Sequence, residues 1–385
     1  MDVFAQVEAG FEGVQAAFEA NLKEGRDVGA SCCVYWKGRK VVDLAGGVVA
    51  PGSEEPYTPD TLQLVYSTTK GATAIAVNRL IERGELDLDA PVVHYWPEFG
   101  HAGKQHIKVR WLLDHRAGLI DVDGELTFEE MLAWDPVIHA LEQTAPQWEP
   151  GTAHGYHATT YGWLAGELVR RVSGKSLGRF FAEEIARPLD LDFYIGLPQE
   201  QHRRVAPIIP MKVRGDRDGL RPLLEHTSLM ARALGAPSGT LRSSRVWNDP
   251  ALWSAEIPAA NGIGNARSVA RMYAATVGEV DGIRLLWPET ADVLARSENH
   301  GRDKVLIFEI KFCRGFMAMR AMSKRFGEKA FGHYGAGGSV GYADPEHQLA
   351  FAYVMNRMEV GLVGDQRSQS LIRAVNAAIG KWPVK

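Results

Sequence analysis

YSTTKGATAIAV, residues 66–77, is the stretch from which the rest of the sequence is best interpreted. It begins with the pattern Ser-x-x-Lys and continues with small and apolar residues, which predicts a helix that ends near Gly84. Residues three apart lie on the same face of a helix, so Ser67 and Lys70 are expected to point into the same space.

This pairing predicts nucleophilic chemistry at Ser67. A serine hydroxyl is a poor nucleophile until a neighbouring base takes its proton, and a lysine is a base only when it is neutral. Burial and a helix N-terminus both lower a lysine pKa, because each disfavours the cation. The same N-terminus offers the Ser67 N–H to a developing oxyanion. The alternative for an isolated match is a capping serine followed by a solvated lysine.

Composition indicates an ordinary globular protein without a nucleic-acid partner. The chain has 385 residues, of which 45% are hydrophobic and 23% charged, and its length predicts two subdomains or one large domain. The net charge of -4 gives no basic footprint for nucleic acid. No segment has the roughly 20 apolar residues of a membrane span, and no Cys/His cluster has zinc-ligand spacing. We therefore expect neither a metal nor a cofactor.

The N-terminal residues and the cysteines favour the cytoplasm. Residues 1–25 carry acidic side chains and lack the apolar core of a signal peptide. There are three cysteines, and the adjacent pair Cys32 and Cys33 faces opposite sides of a predicted strand. Such sparse, odd usage suits a reducing compartment rather than a disulfide scaffold.

The N-terminal part predicts a helix and a hairpin. Apolar residues from Phe4 to Leu22 recur every three or four positions, which is typical of an amphipathic helix. Two β-rich runs follow, at 30–36 and 40–49, and Lys37-Gly38 between them predicts a hairpin turn.

The middle of the chain reads as short helices, and strands return towards the end. Residues 305–311 and 348–356 have strand character, and Asp365 is predicted to cap a final helix. The resulting fold class is α+β, with an antiparallel sheet flanked by N- and C-terminal helices. We predict a sheet domain from residues 1–86 and 299–385, a mostly helical inserted domain at 87–298, and an active site in the cleft between them.

Three segments are expected to meet there. The first is Ser67-x-x-Lys70, the second is Tyr156 in a Gly-rich turn before a helix, and the third is His333-Tyr334-Gly335 before a strand. Together with the LLDHRAGL segment at 112–119 and PAANG at 258–262, they resemble the serine β-lactamase and penicillin-binding-protein superfamily. The resemblance covers nearly the whole chain and is greatest to class C β-lactamases and family VIII carboxylesterases.

The resemblance implies a role for each segment. Ser67 would be the nucleophile, and Lys70 its base or proton relay. Tyr156 would act as or share the general base through its phenolate, so both residues remain candidates for that role. His333 and Gly335 would contact substrate. Ala336, which follows them on an edge strand, would add its N–H to that of Ser67 in the oxyanion hole.

Two departures from the lactamase pattern favour esters over β-lactams. Ala158 stands where lactamases keep an asparagine that contacts the acyl-amide arm of the drug. His333 stands where they keep a lysine that helps bind its carboxylate, and a histidine with an ordinary pKa is mostly neutral at pH 7. Both departures fit the esterase branch.

The resemblance therefore implies a cytoplasmic serine carboxylesterase that hydrolyses small-molecule, short-chain acyl esters. The enzyme alternatives are a β-lactamase, a D-amino-acid peptidase or amidase, and an acyltransferase that uses the same acyl-enzyme. A non-catalytic penicillin-recognising fold is the alternative outside enzymes. The sequence does not define an oligomeric state.

Two further residues match catalytic patterns but are interpreted as structural. Ser339 lies in Gly-x-Ser-x-Gly, the nucleophile elbow of α/β-hydrolases, but a turn and a strand follow it where an elbow needs a helix. His115 is expected to be a hydrogen-bonding residue beneath a loop rather than a catalyst.

Overall fold

The computed structural model describes residues 3–211, 228–361 and 363–380. The strands, in chain order, are β1 (Val3–Val7), β2 (Gly29–Trp36), β3 (Arg39–Gly47), β4 (Leu62–Leu64), β5 (Phe193–Tyr194), β6 (Val205–Ala206), β7 (Ile263–Gly264), β8 (Phe312–Cys313), β9 (Phe316–Ala318), β10 (Phe331–Tyr334), β11 (Val340–Asp344) and β12 (Leu349–Met355).

Helices connect these strands and fill most of the middle of the chain. They are α1 (Glu12–Lys23), α2 (Thr69–Glu82), α3 (Val109–Leu113), α4 (Phe128–Leu132), α5 (Asp135–Gln143), α6 (Thr160–Ser173), α7 (Leu177–Phe181), α8 (Leu229–Gly235), α9 (Pro250–Ser254), α10 (Ala266–Val277), α11 (Pro288–Ala291), α12 (Met319–Met322) and α13 (Gln366–Ala378).

The main sheet is antiparallel and joins the two ends of the chain. Its order is β1-β3-β2-β12-β11-β10-β9-β8 among the described strands. Lys37 and Gly38 both have positive φ, at 52° and 77°, in the turn between β2 and β3, as a two-residue hairpin turn requires. This confirms the predicted hairpin and the α+β class.

Helices cover both faces of this sheet. Helices α1 and α13 pack together, and α1 also packs on β3, whereas α10 packs against β2, β11 and β12. Every residue of β12 is buried, as expected for a strand with both faces covered. Asp365 accepts a hydrogen bond from the Arg367 N–H at the start of α13, which confirms the predicted cap.

Two predictions about local structure are wrong. Phe4 and Val7 belong to strand β1, and the first helix begins only at Glu12, because pairing with β3 overrides a helical period at the chain end. No strand is found at 305–311 among the described residues. The strand pair nearby, β8 and β9, starts at Phe312 and turns at Arg314-Gly315, where both φ angles are positive.

The division into two domains stays a prediction. Helix α2 follows β4, which belongs to a small sheet in the order β5-β7-β4-β6, and it packs against α6 and α7. Helix α10 falls in the range predicted as inserted, yet it packs on the main sheet. Residues 212–227, which fall within the predicted inserted domain, lie outside the described residues.

A search of the described helices for a membrane span finds none of sufficient length and hydrophobicity. Cys32, Cys33 and Cys313 are all buried as free thiols.

Arg367 connects the last helix to the core of the sheet. Its guanidinium lies 3.1 Å from Asp27 Oδ1 and 2.6 Å from Asp365 Oδ2, and it donates to the Gly337 carbonyl at 2.5 Å. The side chains of Arg367 and Asp27 are 2% and 0% exposed. Removing one partner of a buried ion pair leaves the other charge buried and unpaired. This destabilises a protein more than replacing both partners does.

We predict that Arg367→Met destabilises the protein by about 3–5 kcal/mol, because Asp27 loses its buried cation. The measurement is the midpoint of urea unfolding followed by circular dichroism. Arg373→Met is the matched control, since Arg373 is exposed on the same helix and should change stability by less than about 0.5 kcal/mol. Equal midpoints for the two variants would contradict the role of this network.

Candidate active site

Ser67 lies in a single helical turn, Tyr66–Thr68, immediately before α2. Tyr66 has φ 47°, so the chain turns sharply as it leaves β4. The Val65 N–H donates to the Gly262 carbonyl at 2.9 Å, which ties this turn to the strand region of β7. Ser67 is partly exposed while its neighbours in the motif are buried, and its hydroxyl is therefore accessible to a substrate.

Lys70 is fully buried behind Ser67. Its Nζ lies 3.3 Å from Ser67 Oγ, 2.6 Å from the Ala158 carbonyl oxygen and 3.0 Å from the Ala259 carbonyl oxygen. Burial lowers the pKa of Lys70 well below its ordinary value, because the cation loses its hydration.

These three contacts suit a neutral amine. A neutral amine has two N–H donors and one lone pair, and the two carbonyls accept the two donors. The lone pair would then face Ser67 Oγ at 3.3 Å, a geometry in which the amine can accept the hydroxyl proton. Ser67 and Lys70 lie close together in the structure, as their spacing on the helix predicts.

The Ala259 carbonyl is held by a tight turn at 257–262. The Asn261 side chain accepts from the Ile257 N–H at 2.8 Å and donates to the Leu252 and Ala255 carbonyls at 2.8 and 2.6 Å. Thr73, one turn after Lys70, donates to the Pro258 carbonyl at 2.5 Å. The PAANG segment therefore positions a hydrogen-bond acceptor for Lys70 rather than a reacting side chain.

The ring of Tyr156 lies beside the Lys70 amine. Lys70 Nζ is 4.8 Å from the centre of the Tyr156 ring. Burial raises the pKa of Tyr156, although a hydrogen bond with the Ser67 hydroxyl opposes the rise. With its pKa raised, Tyr156 is a phenol in the resting site.

Phe312 and Asp303 position Tyr156, and sequence reasoning missed both. The rings of Phe312 and Tyr156 stack with centres 5.4 Å apart and planes at 8°. Asp303 Oδ1 accepts from the Tyr156 N–H at 3.1 Å and from the Val305 and Leu306 N–H groups at 2.8 and 2.7 Å. Both residues are far from Tyr156 in sequence and carry no motif, so no local signal could have identified them.

His333 is buried next to Tyr156, with ring centres 6.0 Å apart. Its Nδ1 lies 2.6 Å from the Tyr334 carbonyl oxygen, so Nδ1 carries the proton and Nε2 is the acceptor. Nε2 has no hydrogen-bond partner among the described residues. Burial lowers the pKa of His333 to about 3, because the imidazolium would lose its hydration. This position is thus a neutral acceptor.

The segment after His333 packs against the turn that carries Ser67. A side chain on Gly335 would lie 2.2 Å from the Val65 carbonyl oxygen, so only glycine fits there. Ala336 begins a single helical turn, Ala336–Gly338, rather than lying on a strand as expected, and β10 is not the edge of the sheet. Beyond Gly332, however, β9 no longer pairs with β10, which leaves the side of 333–336 open.

The two predicted oxyanion donors remain available. In the described part of the chain, the N–H groups of Ser67 and Ala336 donate to no acceptor outside their own helical turns. Ala336 is partly exposed, as is Ser67. Two free N–H groups on partly exposed residues are what a tetrahedral oxyanion needs.

Ser339 is a structural residue in this structure. It is buried, donates to the Val65 carbonyl at 2.8 Å and lies 3.0 Å from Thr68 Oγ1. Strand β11 follows it directly, so the strand–serine–helix geometry of a nucleophile elbow is not formed. The serine instead fastens the Ala336 turn to the Ser67 turn.

His115 and His157 form a hydrogen-bonded support beneath the site. His115 Nδ1 accepts from the His157 N–H at 3.1 Å, and His157 Nε2 accepts from the Leu119 N–H at 2.9 Å. Burial lowers the pKa of both, that of His157 to about 3. No group of His, Cys, Asp and Glu in the described ranges is arranged to hold a metal ion.

Comparison with known proteins places this geometry in a family. The Beta-lactamase family model matches residues 14–373. The chain is 37% identical to Esterase/beta-lactamase LipL of Mycobacterium tuberculosis, over 94% of this chain and 84% of LipL. It is 36% identical to a family VIII carboxylesterase of known structure, with a TM-score of 0.90 over 98% of this chain and 100% of that one.

A third match is to a penicillin-binding protein homologue from Caulobacter crescentus. The identity is 36% and the TM-score 0.87, over 98% of this chain and 100% of that chain. The predicted family and fold are thereby confirmed.

We predict that the acylation rate, followed between about pH 5 and 9, rises with pH through an ionisation below the ordinary range of a lysine, because burial lowers the pKa of Lys70. Below its lowered pKa, Lys70 is protonated and cannot accept the Ser67 proton, so the rate falls. The measurement is single-turnover acylation by a p-nitrophenyl ester across this range.

Lys70→Arg is the control, because a guanidinium stays charged throughout. Its rate should not change with pH in this range and should lie about 10²–10⁴-fold below the highest wild-type rate. A wild-type rate that is flat between these limits and no faster than that of Lys70→Arg would contradict a neutral Lys70.

Proposed function

The chain belongs to the beta-lactamase family, and we propose that within it this protein is a serine carboxylesterase that works through an acyl-enzyme on Ser67. The observation that carries the proposal is the buried Lys70 amine, 3.3 Å from Ser67 Oγ and hydrogen-bonded to two carbonyls. The substrates proposed are small-molecule esters with short acyl chains.

Acylation begins when the Lys70 amine takes the proton of the Ser67 hydroxyl. Ser67 Oγ forms a bond to the ester carbonyl carbon, and the carbonyl oxygen becomes an oxyanion. The N–H groups of Ser67 and Ala336 hold this oxyanion. Removing one such donor typically costs about 10²–10³ in rate.

Collapse of the intermediate breaks the bond to the alkoxide. Tyr156 donates its phenolic proton to this leaving oxygen and regains a proton from the Lys70 ammonium, which restores the neutral amine. This order agrees with the direction of both pKa shifts, raised for Tyr156 and lowered for Lys70. Water then attacks the acyl-enzyme with the same groups moving its proton, and the carboxylic acid leaves.

The residues around the acyl site favour esters over β-lactams. Ala158 presents a methyl group and uses its carbonyl to hold Lys70, so no side-chain amide is available there. His333 offers a neutral acceptor where a lactamase has a cation. A carboxylate near Nε2 would meet a lone pair rather than a positive charge, and its desolvation would be uncompensated.

A β-lactamase is the second candidate, because the name of LipL includes that activity. A D-amino-acid peptidase or amidase and an acyltransferase would use the same acyl-enzyme, and differ in the acyl donor or the final acceptor. We also propose a cytoplasmic location, which the three free, buried cysteines favour.

We predict that Ser67→Ala lowers ester turnover by at least about 10⁴-fold, because the nucleophile is lost. Ser339→Ala is the matched control and should stay within about tenfold of wild type, since it removes only hydrogen bonds worth about 1 kcal/mol each. The assays are hydrolysis of p-nitrophenyl butyrate and of a chromogenic cephalosporin.

The proposal requires a higher kcat/KM for the ester than for the cephalosporin. Comparable values would move the β-lactamase to first place. Loss of activity in folded Ser339→Ala, but not in Ser67→Ala, would overturn the site.

A further inference from the structure

A cavity of about 190 Å³ is rich in arginine. Its wall comes from the end of α3, the segment 293–298 and the turn between β8 and β9. Its described lining residues include neither Ser67, Lys70 nor Tyr156. Phe312 lines it, however, and stacks on Tyr156, so only one aromatic ring separates the cavity from the catalytic phenol.

Arg110, which lines the cavity, and Arg116, which shares Glu298 with it, are already paired. Arg110 binds Asp89 at 2.6 Å and also binds Glu298, and Arg116 binds Glu298 at 2.8 Å and Asp114 at 2.5 Å. These three carboxylates are therefore engaged. Burial raises the pKa of Asp114 to about 6, so its negative charge is the weakest of the three near neutral pH.

Two further arginines that line the cavity have no partner. Within residues 3–211, 228–361 and 363–380, neither the Arg296 nor the Arg314 guanidinium takes part in a hydrogen bond or ion pair. Arg110 Nε is buried and also lacks an acceptor there. Burial and the charges of Arg110 and Arg296 lower the pKa of Arg314. The cavity thus concentrates positive charge that its own carboxylates do not neutralise.

The turn between β8 and β9 holds Arg314 close to the other arginines of the cavity. The Gly315 N–H donates to the Leu113 carbonyl at 3.1 Å, and the Arg314 carbonyl accepts from Asn78 Nδ2 at 3.1 Å. The Ser297 hydroxyl donates to the Phe312 carbonyl at 2.8 Å and holds the opposite wall. Because the backbone is fastened on both sides, the cavity is formed before any ligand arrives.

We propose that this cavity is a binding site for a compact oxyanion, held by Arg314, Arg296 and Arg110 Nε. A guanidinium binds phosphate-like and carboxylate groups through parallel N–H···O bonds, and such an anion would compensate the charge of the partly buried Arg314. The volume admits a group of that size. This site is additional to the proposed esterase chemistry and does not depend on it.

The test is isothermal titration of the whole protein with sodium sulfate at constant ionic strength, at pH 7.5. Wild type should bind sulfate saturably at one site. Arg314→Gln should raise the dissociation constant at least about tenfold, as expected when a charge-assisted hydrogen-bonded pair is lost. Arg296→Gln is a second variant at an exposed position, where folding is not at risk, and should also weaken binding.

Arg245→Gln, an exposed arginine elsewhere, is the matched control and should bind like wild type. Parallel titrations with phosphate and butyrate distinguish a phosphate-type from a carboxylate-type ligand. The proposal is overturned if wild type shows no saturable binding of any of the three anions up to 50 mM, or if both cavity variants bind as wild type does.

Discussion

The fold of the site depends on keeping the Lys70 amine out of water. The amine needs two acceptors, and both are main-chain carbonyls from distant segments, Ala158 before α6 and Ala259 before β7. Each segment is fastened independently, the first through Asp303 and Tyr156, the second through Asn261. The buried lysine therefore fixes where the helical segments meet the helix that carries the nucleophile, and its lowered pKa is a consequence of that packing.

The opposite wall of the site is fastened through the sheet. Ser339 joins the Ala336 turn to the Val65 carbonyl and Thr68, and Arg367 holds the Gly337 carbonyl from the last helix. The two proposed oxyanion donors thus stand on two turns that are hydrogen-bonded to each other. Such preorganised N–H groups stabilise developing charge without reorganisation during the reaction. A neutral His333 beside them suits an uncharged ester.

Local pattern was enough to predict the parts of the site that local geometry controls. The spacing of Ser67 and Lys70, the hairpin turn at Lys37-Gly38 and the cap at Asp365 each depend on a few neighbouring residues. The family resemblance added Tyr156, whose position beside Lys70 agrees with that expectation, although its role stays a proposal.

Long-range contacts explain what the sequence could not provide. Phe4 and Val7 continue the helical period, yet they pair with β3, because an edge strand gains more from the sheet than from an isolated turn. Asp303, Phe312 and Arg367 act through partners more than 140 residues away or through stacking that no motif encodes. The role of a main-chain carbonyl, such as that of Ala259, cannot be predicted from the types of side chain in the sequence.

The most direct test of the central claim is to find the acyl group. The protein is mixed with p-nitrophenyl butyrate, quenched with acid during turnover, digested and analysed by mass spectrometry. The account predicts a butyryl group on the peptide that contains Ser67, and none in Ser67→Ala. A butyryl group on the Ser339 peptide would contradict it. So would the absence of any acylated peptide when the protein turns over an ester whose acyl-enzyme would be hydrolysed slowly.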